Sequence, residues 1–382
     1  MKQKEYFGVG SISKLVKILE IEKAKRIFLV TGRDSYISSG AEEAINELLQ
    51  GIEVKRFFDF ETNPKLEDIE RGIVEFRKFD PDVVVAVGGG SVMDVAKALS
   101  FLGVQEVEPS KLIFGLVDST SLDQERKIPL IAIPTTAGSG SEATHFAVVY
   151  AGNEKHSLAH EWVLPDYAIV DPNLTLNLPA RITAVTGMDA LCQAIEAYWS
   201  VNSTDESKMY SEEAIKLILE SLLPAVNNPT LIHRNSMSKA ANLAGKAINI
   251  AKTTACHAVA YPMTSYFGID HGHAVGLTLG SMLEYNSRVS EDDLQDSRGV
   301  KYVQETIKKI SRLLGVSDAE EGKSRIEKLM KDIGLETRLS ELGLRKKDLQ
   351  VIVEHGFNPG RVKNNPRVLT KEELERMLTA IV

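Results

Sequence analysis

The chain has 382 residues, 43% of them apolar and 26% charged, with a formal net charge of −8. That length predicts two domains or three with a sizeable buried core. The two cysteines, Cys192 and Cys256, fit a reducing, cytoplasmic compartment better than a disulfide framework. The negative balance argues against nucleic acid or an anionic membrane as the main partner; no apolar run is long enough to span a membrane, and the opening residues MKQKEYFGVGSISKL lack the apolar stretch of a secretory signal.

In chain order, RIFLV (26–30) reads as a buried strand and AEEAINELL (41–49) has helical spacing. EVKRFFDF (53–60) reads as a second strand. KLEDIERGIVEFRKF (65–79) sets Leu66, Ile69, Ile73 and Phe76 on one helical face. VVVAV (83–87) is the strongest strand pattern of the chain, VAKALSFL (95–102) follows as helix, and PLIAIP (129–134) and YAIVDP (167–172) read as further strands. Short apolar strands alternating with helices predict a parallel sheet covered on both faces. The second half changes character. SEEAIKLILESLLPAV places Ile215, Ile218, Leu219 and Leu222 at i, i+3, i+4 and i+7, and TIKKISRLLG, SRIEKLMKDIG and KEELERMLTAI repeat that pattern. No strand pattern follows residue 178 or so. The expected architecture is therefore an α/β Rossmann-like domain with a parallel sheet over 1–178 and an all-helical domain over 179–382, with the boundary near LTLNLPARI.

VVVAVGGGSVMDVAKAL is strand, glycine turn, helix. Gly88, Gly89 and Gly90 let a ligand approach the backbone, and the helix start offers free N–H groups to an anion. Ser91 and Asp94 have the spacing of a capping box. The pattern G-x-G-x-x-G is absent. A second loop, IPTTAGSGSEAT, offers the hydroxyls of Thr135, Thr136, Ser139 and Ser141, with Gly138 and Gly140 giving backbone access. Alone it reads as a polar loop; two such loops after neighbouring strands point to a nucleotide. In GMDALCQAIEAYW, Asp189 and Gln193 share a helical face. Among apolar neighbours a carboxylate needs a partner, and a capping or salt-bridged Asp explains it as well as a ligand does. In HAVAYPMTSYFGIDHGH (257–273), His257 lies in a helix-like run, and His271 and His273 flank Gly272 in a turn-like DHGHA. One histidine there reads as structural. Asp189, Gln193, His257 and His271 taken together make a mixed O and N set for a divalent metal.

GGGSVMDVAK, PTTAGSGSEAT, GMDAL and a histidine pair fourteen apart, in this order, resemble the iron-containing (group III) alcohol dehydrogenases over nearly the whole chain. The resemblance implies an NAD(P)-linked enzyme with one divalent metal, Fe or Zn. It implies that 1–178 binds the dinucleotide and 179–382 the metal and substrate. The family's metal-binding Asp falls on Asp189 and its two later histidines on His257 and His271. Its remaining histidine is Gln193 here, and Tyr261 stands where many members have a further histidine. The nicotinamide cofactor, NADPH or NADH, is expected at Gly32, Asn63, Gly88, Gly89, Gly90, Ser91, Asp94, Thr135, Thr136, Ser139, Ser141 and Lys155. In LVTGRDS, Gly32 takes a place where the family often has an Asp, and Arg33 follows. That leaves room for a 2′-phosphate, so NADPH is expected to serve at least as well as NADH.

ALCQAIEAYWSVNST, KTTACHAVAYPMTSYFGIDHGHAVGLTLG and NPGRVKNNPR are similar to the phosphonoacetaldehyde reductase branch, and ACHA-x-x-Y also resembles sugar-acid 8-oxidases. The expected reaction is reduction of phosphonoacetaldehyde to 2-hydroxyethylphosphonate, with another small-alcohol or sugar-acid dehydrogenase of the family as the alternative. The expected substrate is a small, anionic aldehyde or alcohol, met by Lys252, Thr253, His273, Arg361 and Arg367, with Tyr261, His273 or water exchanging the proton. A homo-oligomer, typically a dimer, is the family habit. Two rival readings are a dehydroquinate synthase-like enzyme, whose Glu and two His ligands are not found, and a nucleotide-binding protein without turnover, favoured only by Gln193.

Overall fold

The computed structural model describes residues 3–115, 127–152 and 154–382, and the chain divides into two compact units, Met1–Leu178 and Pro179–Val382. In the first unit six strands form one sheet: β1 (Lys4–Phe7), β2 (Arg26–Thr31), β3 (Glu53–Phe57), β4 (Val83–Gly88), β5 (Leu130–Pro134) and β8 (Tyr167–Val170), in the order β1-β8-β5-β4-β2-β3. Every pairing is parallel. The helices are α1 (Lys14–Ile21), α2 (Ser35–Ser38), α3 (Ala41–Leu48), α4 (Leu66–Phe79), α5 (Gly90–Leu102) and α6 (Pro109–Ile113).

The two faces of the sheet explain why its strands are apolar without interruption. Phe28, Val30, Val84, Ala86, Leu130 and Ala132 point to one side, where they pack with Ile69, Ile73 and Phe76 of α4 and Val95, Leu99 and Leu102 of α5. Ile27, Leu29, Val83, Val85, Val87, Ile131 and Ile133 point to the other, against Leu15, Ile18 and Leu19 of α1 and Ile45 of α3. A strand buried on both faces has no polar side to show water. One element departs from the expected pattern. Phe146–Ala151 (β6) and Glu154–Ala159 (β7) form a separate antiparallel pair, in register from Phe146 against Ala159 to Ala151 against Glu154.

The second unit is helical: α7 (Ala180–Trp199), α8 (Asp205–Asn227), α9 (Leu231–Ala251), α10 (Ala255–Phe267), α11 (His271–Ser287), α12 (Val300–Leu313), α13 (Ala319–Asp332), α14 (Leu349–His355), α15 (Pro359–Val362) and α16 (Lys371–Thr379). Among its described residues extended pairing is limited to a bridge between Leu294 and Arg367. The central helix is α7, which packs against α8, α9 and α11. It is apolar nearly all round and buried from Gly187 to Trp199, as a helix enclosed by others must be. No helix among the described residues is long and apolar enough to cross a membrane.

Candidate active site

In the second unit three helices bring their polar residues to one place. Asp189 and Gln193 lie one turn apart in the middle of α7, His257 in the first turn of α10, and His271 at the first position of α11. DHGHA is thus not a turn: Asp270 is the N-cap and the histidines begin a helix. Gly272 is what allows the approach. A Cβ there would lie 2.1 Å from the Val185 carbonyl oxygen and 2.8 Å from the Asp189 Cβ. Only glycine lets the start of α11 rest on the backbone of α7.

One donor atom each from Asp189, His257 and His271 lies within 4.8 Å of the others. His257 Nε2 is 3.4 Å from Asp189 Oδ1, and the His257 and His271 rings meet edge to face at 5.4 Å. Gln193 Nε2 donates to Asp189 Oδ2 at 3.0 Å. Its carbonyl oxygen is buried and accepts no hydrogen bond among the described residues. A buried acceptor left over beside a carboxylate and two imidazoles is the donor set of a divalent cation such as Fe2+ or Zn2+. The electrostatics agree. Burial opposes a charged His257, yet the carboxylates of Glu196 and Asp189 outweigh it and push the ring up to about 10. Metal and proton compete for the same lone pair, so a site this favourable to positive charge suits the ion.

Around this cluster stand two side chains that the sequence had marked for substrate or proton transfer. The Tyr261 ring stacks on His271 with centroids 5.9 Å apart. Arg361 Nε donates to the Tyr261 hydroxyl at 3.2 Å. The Tyr261 oxygen and the buried Glu196 carboxylate raise the Arg361 pKa against the opposing effect of burial. Asn364 explains how a C-terminal residue reaches α10: its amide donates to the Thr253 carbonyl at 2.9 Å and its carbonyl accepts from Asn202 Nδ2 at 2.9 Å.

Other expectations are corrected. His273 is fully buried: Nδ1 meets Arg181 at 3.2 Å and Nε2 the Glu336 carbonyl at 2.8 Å. Both ring nitrogens are thus engaged within the protein, and the residue two positions after His271 projects from the opposite side of the helix, so the structure does not bring His273 to the cluster. Arg367 is likewise committed, to Asp293 at 2.7 Å, to the Tyr285 carbonyl at 2.7 Å and to the face of the Tyr285 ring. Lys252 is exposed and caps the end of α9 with φ 62°, and Thr253 beside it is buried. These two residues form the link from α9 towards α10.

In the first unit β4 and β5 are neighbours, so the loops at their carboxyl ends emerge side by side. The Thr135 N–H donates to the Gly88 carbonyl at 3.0 Å. A Cβ on Gly88 would overlap the Val92 side chain at 2.5 Å, one on Gly89 would sit 3.2 Å from Thr136, and one on Gly90 3.3 Å from the Ser139 hydroxyl. This is a backbone cradle open at a helix start, which suits a pyrophosphate. The Asn63 N–H reaches Ser91 Oγ at 3.2 Å, which brings that residue to the same loop. The expected capping box does not form, because α5 starts at Gly90 with Gly89 as its N-cap, which puts Ser91 and Asp94 inside the helix. Asp94 instead joins a cluster that includes Ser141, Lys97 and Lys155. Burial raises Asp94 to about 6 against the pull of both lysines. Ser141 is spent within the protein as well, accepting from Lys97 Nζ at 2.9 Å, and so secures the loop from beneath. Lys97, which sequence reading passed over, is fully buried and also bonds Thr144 Oγ1 and the Phe146 carbonyl, each at 2.9 Å. Gly32 follows β2, and a Cβ there would lie 2.1 Å from Ser35 Oγ. Arg33 is exposed and paired with Asp59 at 3.2 Å.

Residues 3–172 match the family described as iron-containing alcohol dehydrogenase, and residues 183–382 its C-terminal part, the Fe-containing alcohol dehydrogenase family C-terminal region. The chain belongs to the iron-containing alcohol dehydrogenase family. It is an oxidoreductase of alcohols and aldehydes that uses NAD(P) and a metal ion, as the motif order implied. Proteins similar to it include the phosphonoacetaldehyde reductase of Streptomyces viridochromogenes, 35% identical over 80% of this chain and 77% of that one. The NADPH-dependent butanol dehydrogenase of Clostridium saccharobutylicum is 31% identical over 98% and 95% of the two chains. The crystal structure of sulfoacetaldehyde reductase from Bifidobacterium kashiwanohense in complex with NAD+ superposes with a TM-score of 0.87 at 30% identity, covering 99% of this chain and 96% of that one.

One residue of the metal cluster went unnoticed in the sequence. Glu196 is fully buried on α7, seven residues after Asp189, and it touches His257. The spacing Asp189, Gln193, Glu196 in an otherwise apolar helix was the available signal.

Proposed function

We propose that this dehydrogenase reduces a small aldehyde with an anionic head, phosphonoacetaldehyde being the best candidate. The observation that carries the proposal is the line from His271 to Tyr261 to Arg361: a guanidinium bonded to the hydroxyl of the tyrosine whose ring stacks on His271. A guanidinium fork donates two parallel hydrogen bonds to a phosphonate or sulfonate. Two of the similar proteins are named for two-carbon aldehydes that carry such a group.

The residues divide the work as follows. Asp189, His257, His271 and Gln193 hold the metal, while the cradle at Gly88, Gly89 and Gly90, with Thr135, Thr136, Ser139, Ser91 and Asn63, holds the dinucleotide. When bound, NAD(P)H supplies the hydride and the metal supplies Lewis acidity at the substrate oxygen. Arg361 binds the head group and so orients the aldehyde carbon. Because Arg361 donates into the Tyr261 oxygen, the phenolic O–H is left to serve as a donor, and Tyr261 Oη delivers the proton to the nascent alkoxide and regains it from solvent.

The test is NAD(P)H oxidation by the metal-loaded protein with phosphonoacetaldehyde, sulfoacetaldehyde and propanal. A phosphonoacetaldehyde kcat/KM at least about tenfold above that of propanal is expected for one charge-assisted contact. Equal values for the charged and uncharged aldehydes would refute the anionic-head reading.

A further inference from the structure

We infer that Glu196 is a positioning residue that fixes which nitrogen of His257 is offered to the metal. The inference rests on the metal reading given above. The two oxygens of Glu196 have different jobs. Oε1 collects the donors that seat the start of α10: the Thr254 hydroxyl at 2.7 Å and the backbone N–H groups of Thr254, Cys256 and His257 at 3.2, 2.9 and 3.4 Å. Trp199 Nε1 adds a bond to the Thr254 hydroxyl at 2.9 Å, which orients that hydroxyl's proton toward Glu196. Oε2 faces the ring, at His257 Nδ1. A carboxylate oxygen can only accept, so a neutral His257 must carry its proton on Nδ1. The lone pair is then on Nε2, the nitrogen that looks toward Asp189 Oδ1 at 3.4 Å. One carboxylate thereby sets both the place of the helix and the tautomer of the ligand it carries.

The two oxygens make the roles separable. In Glu196→Gln the amide oxygen takes the Oε1 position, since four donors converge there, and the NH2 group faces Nδ1. An amide N–H donating into Nδ1 stabilises the opposite tautomer, with the proton on Nε2, while the seat of α10 survives. Thr254→Val does the reverse, removing a donor from Oε1 and leaving the ring contact intact.

The experiment is Co2+ titration of the metal-free full-length protein, followed by visible absorption against a competing chelator, with thermal unfolding of each metal-free protein alongside. Glu196→Gln is expected to weaken Co2+ binding about 10- to 100-fold with little change in Tm. Thr254→Val is expected to lower Tm with little change in affinity. Glu196→Gln binding Co2+ like the wild type would overturn the inference. So would parallel losses of Tm and affinity in both variants, which is the pattern of a helix cap alone. Nitrogen-15 spectra of the Zn2+-loaded wild type address the same point without substitution: a proton on His257 Nδ1 supports the assignment, and a proton on Nε2 overturns it. A wild type that takes up no Co2+ would refute the metal reading itself and this inference with it.

Discussion

The glycine cradle of the first unit and the metal cluster of the second are built on opposite principles. The cradle is made of backbone. Gly88, Gly89 and Gly90 matter because they lack side chains, and the groups they leave open are the N–H donors of a helix start. Apart from Asn63, all of it lies within a few residues of two adjacent strands. The cluster is made of side chains from α7, α10 and α11, and α7 lies far from the other two in the chain. Each has its orientation set by a neighbour: Gln193 on Asp189, Glu196 on His257, Tyr261 on His271. A backbone site should tolerate side-chain truncation and fail when side chains are added. A side-chain site should fail on truncation.

The largest effect expected is at the cluster. His271→Ala removes one of three charged or imidazole ligands. It should abolish metal retention and lower kcat/KM by roughly three orders of magnitude, given the several kcal/mol a Lewis acid supplies. Metal analysis beside the aldehyde assay checks both. The glycines come next. Gly272→Ala forces a methyl into the Val185 carbonyl and should cost roughly 1–3 kcal/mol in stability, as overpacking does, and lower metal affinity. Gly88→Val should instead raise KM for the nicotinamide and leave metal content unchanged. If each variant damaged both functions alike, the contrast between the two sites would collapse.

Smaller effects sharpen the picture around Arg361. Arg361→Ala should raise KM for phosphonoacetaldehyde about 10- to 100-fold, the loss of a charge-assisted bond worth roughly 1.5–3 kcal/mol, and lower kcat for propanal by a smaller factor through the lost bond to the Tyr261 hydroxyl, with the KM for propanal little changed. Arg367→Ala should lower Tm by a few degrees with no preference between the two aldehydes, since its bonds go to Asp293 and Tyr285. The smallest effect expected is at the end of β2. We propose that Gly32 and Arg33 let NADPH serve at least as well as NADH, and that Arg33→Ala lowers kcat/KM for NADPH a few-fold, as suits an exposed ion pair. A strong NADH preference in the wild type would contradict that.

The sheet was legible because its physics is local. Val83–Val87 and Ile27–Val30 are apolar without alternation, and only strands covered on both faces read that way. The β6–β7 hairpin escaped notice because EKHSLA is largely polar, with Leu158 its one buried residue, and FAVVYA is apolar without alternation, so neither shows the half-buried strand pattern. Asp189, His257 and His271 could be matched as separate motifs, but the contacts that decide their neighbours' roles cross the chain. His273 looks as suited to chemistry as His271 until the Glu336 carbonyl and Arg181 are seen to hold its ring. The same is true of Arg367, whose partner Asp293 lies 74 residues away. Conversely Glu196 and Lys97 were in plain view, yet both lie in apolar helices where a lone charge reads as incidental; their burial gives them meaning.

The most direct test of the side-chain metal centre is kcat/KM for phosphonoacetaldehyde at saturating NADPH, measured on the protein as isolated, after removal of metal by a chelator, and after return of Fe2+ or Zn2+. The account predicts a fall of at least about 100-fold on removal and recovery on return of the ion. A metal-free protein that keeps its full rate would contradict it.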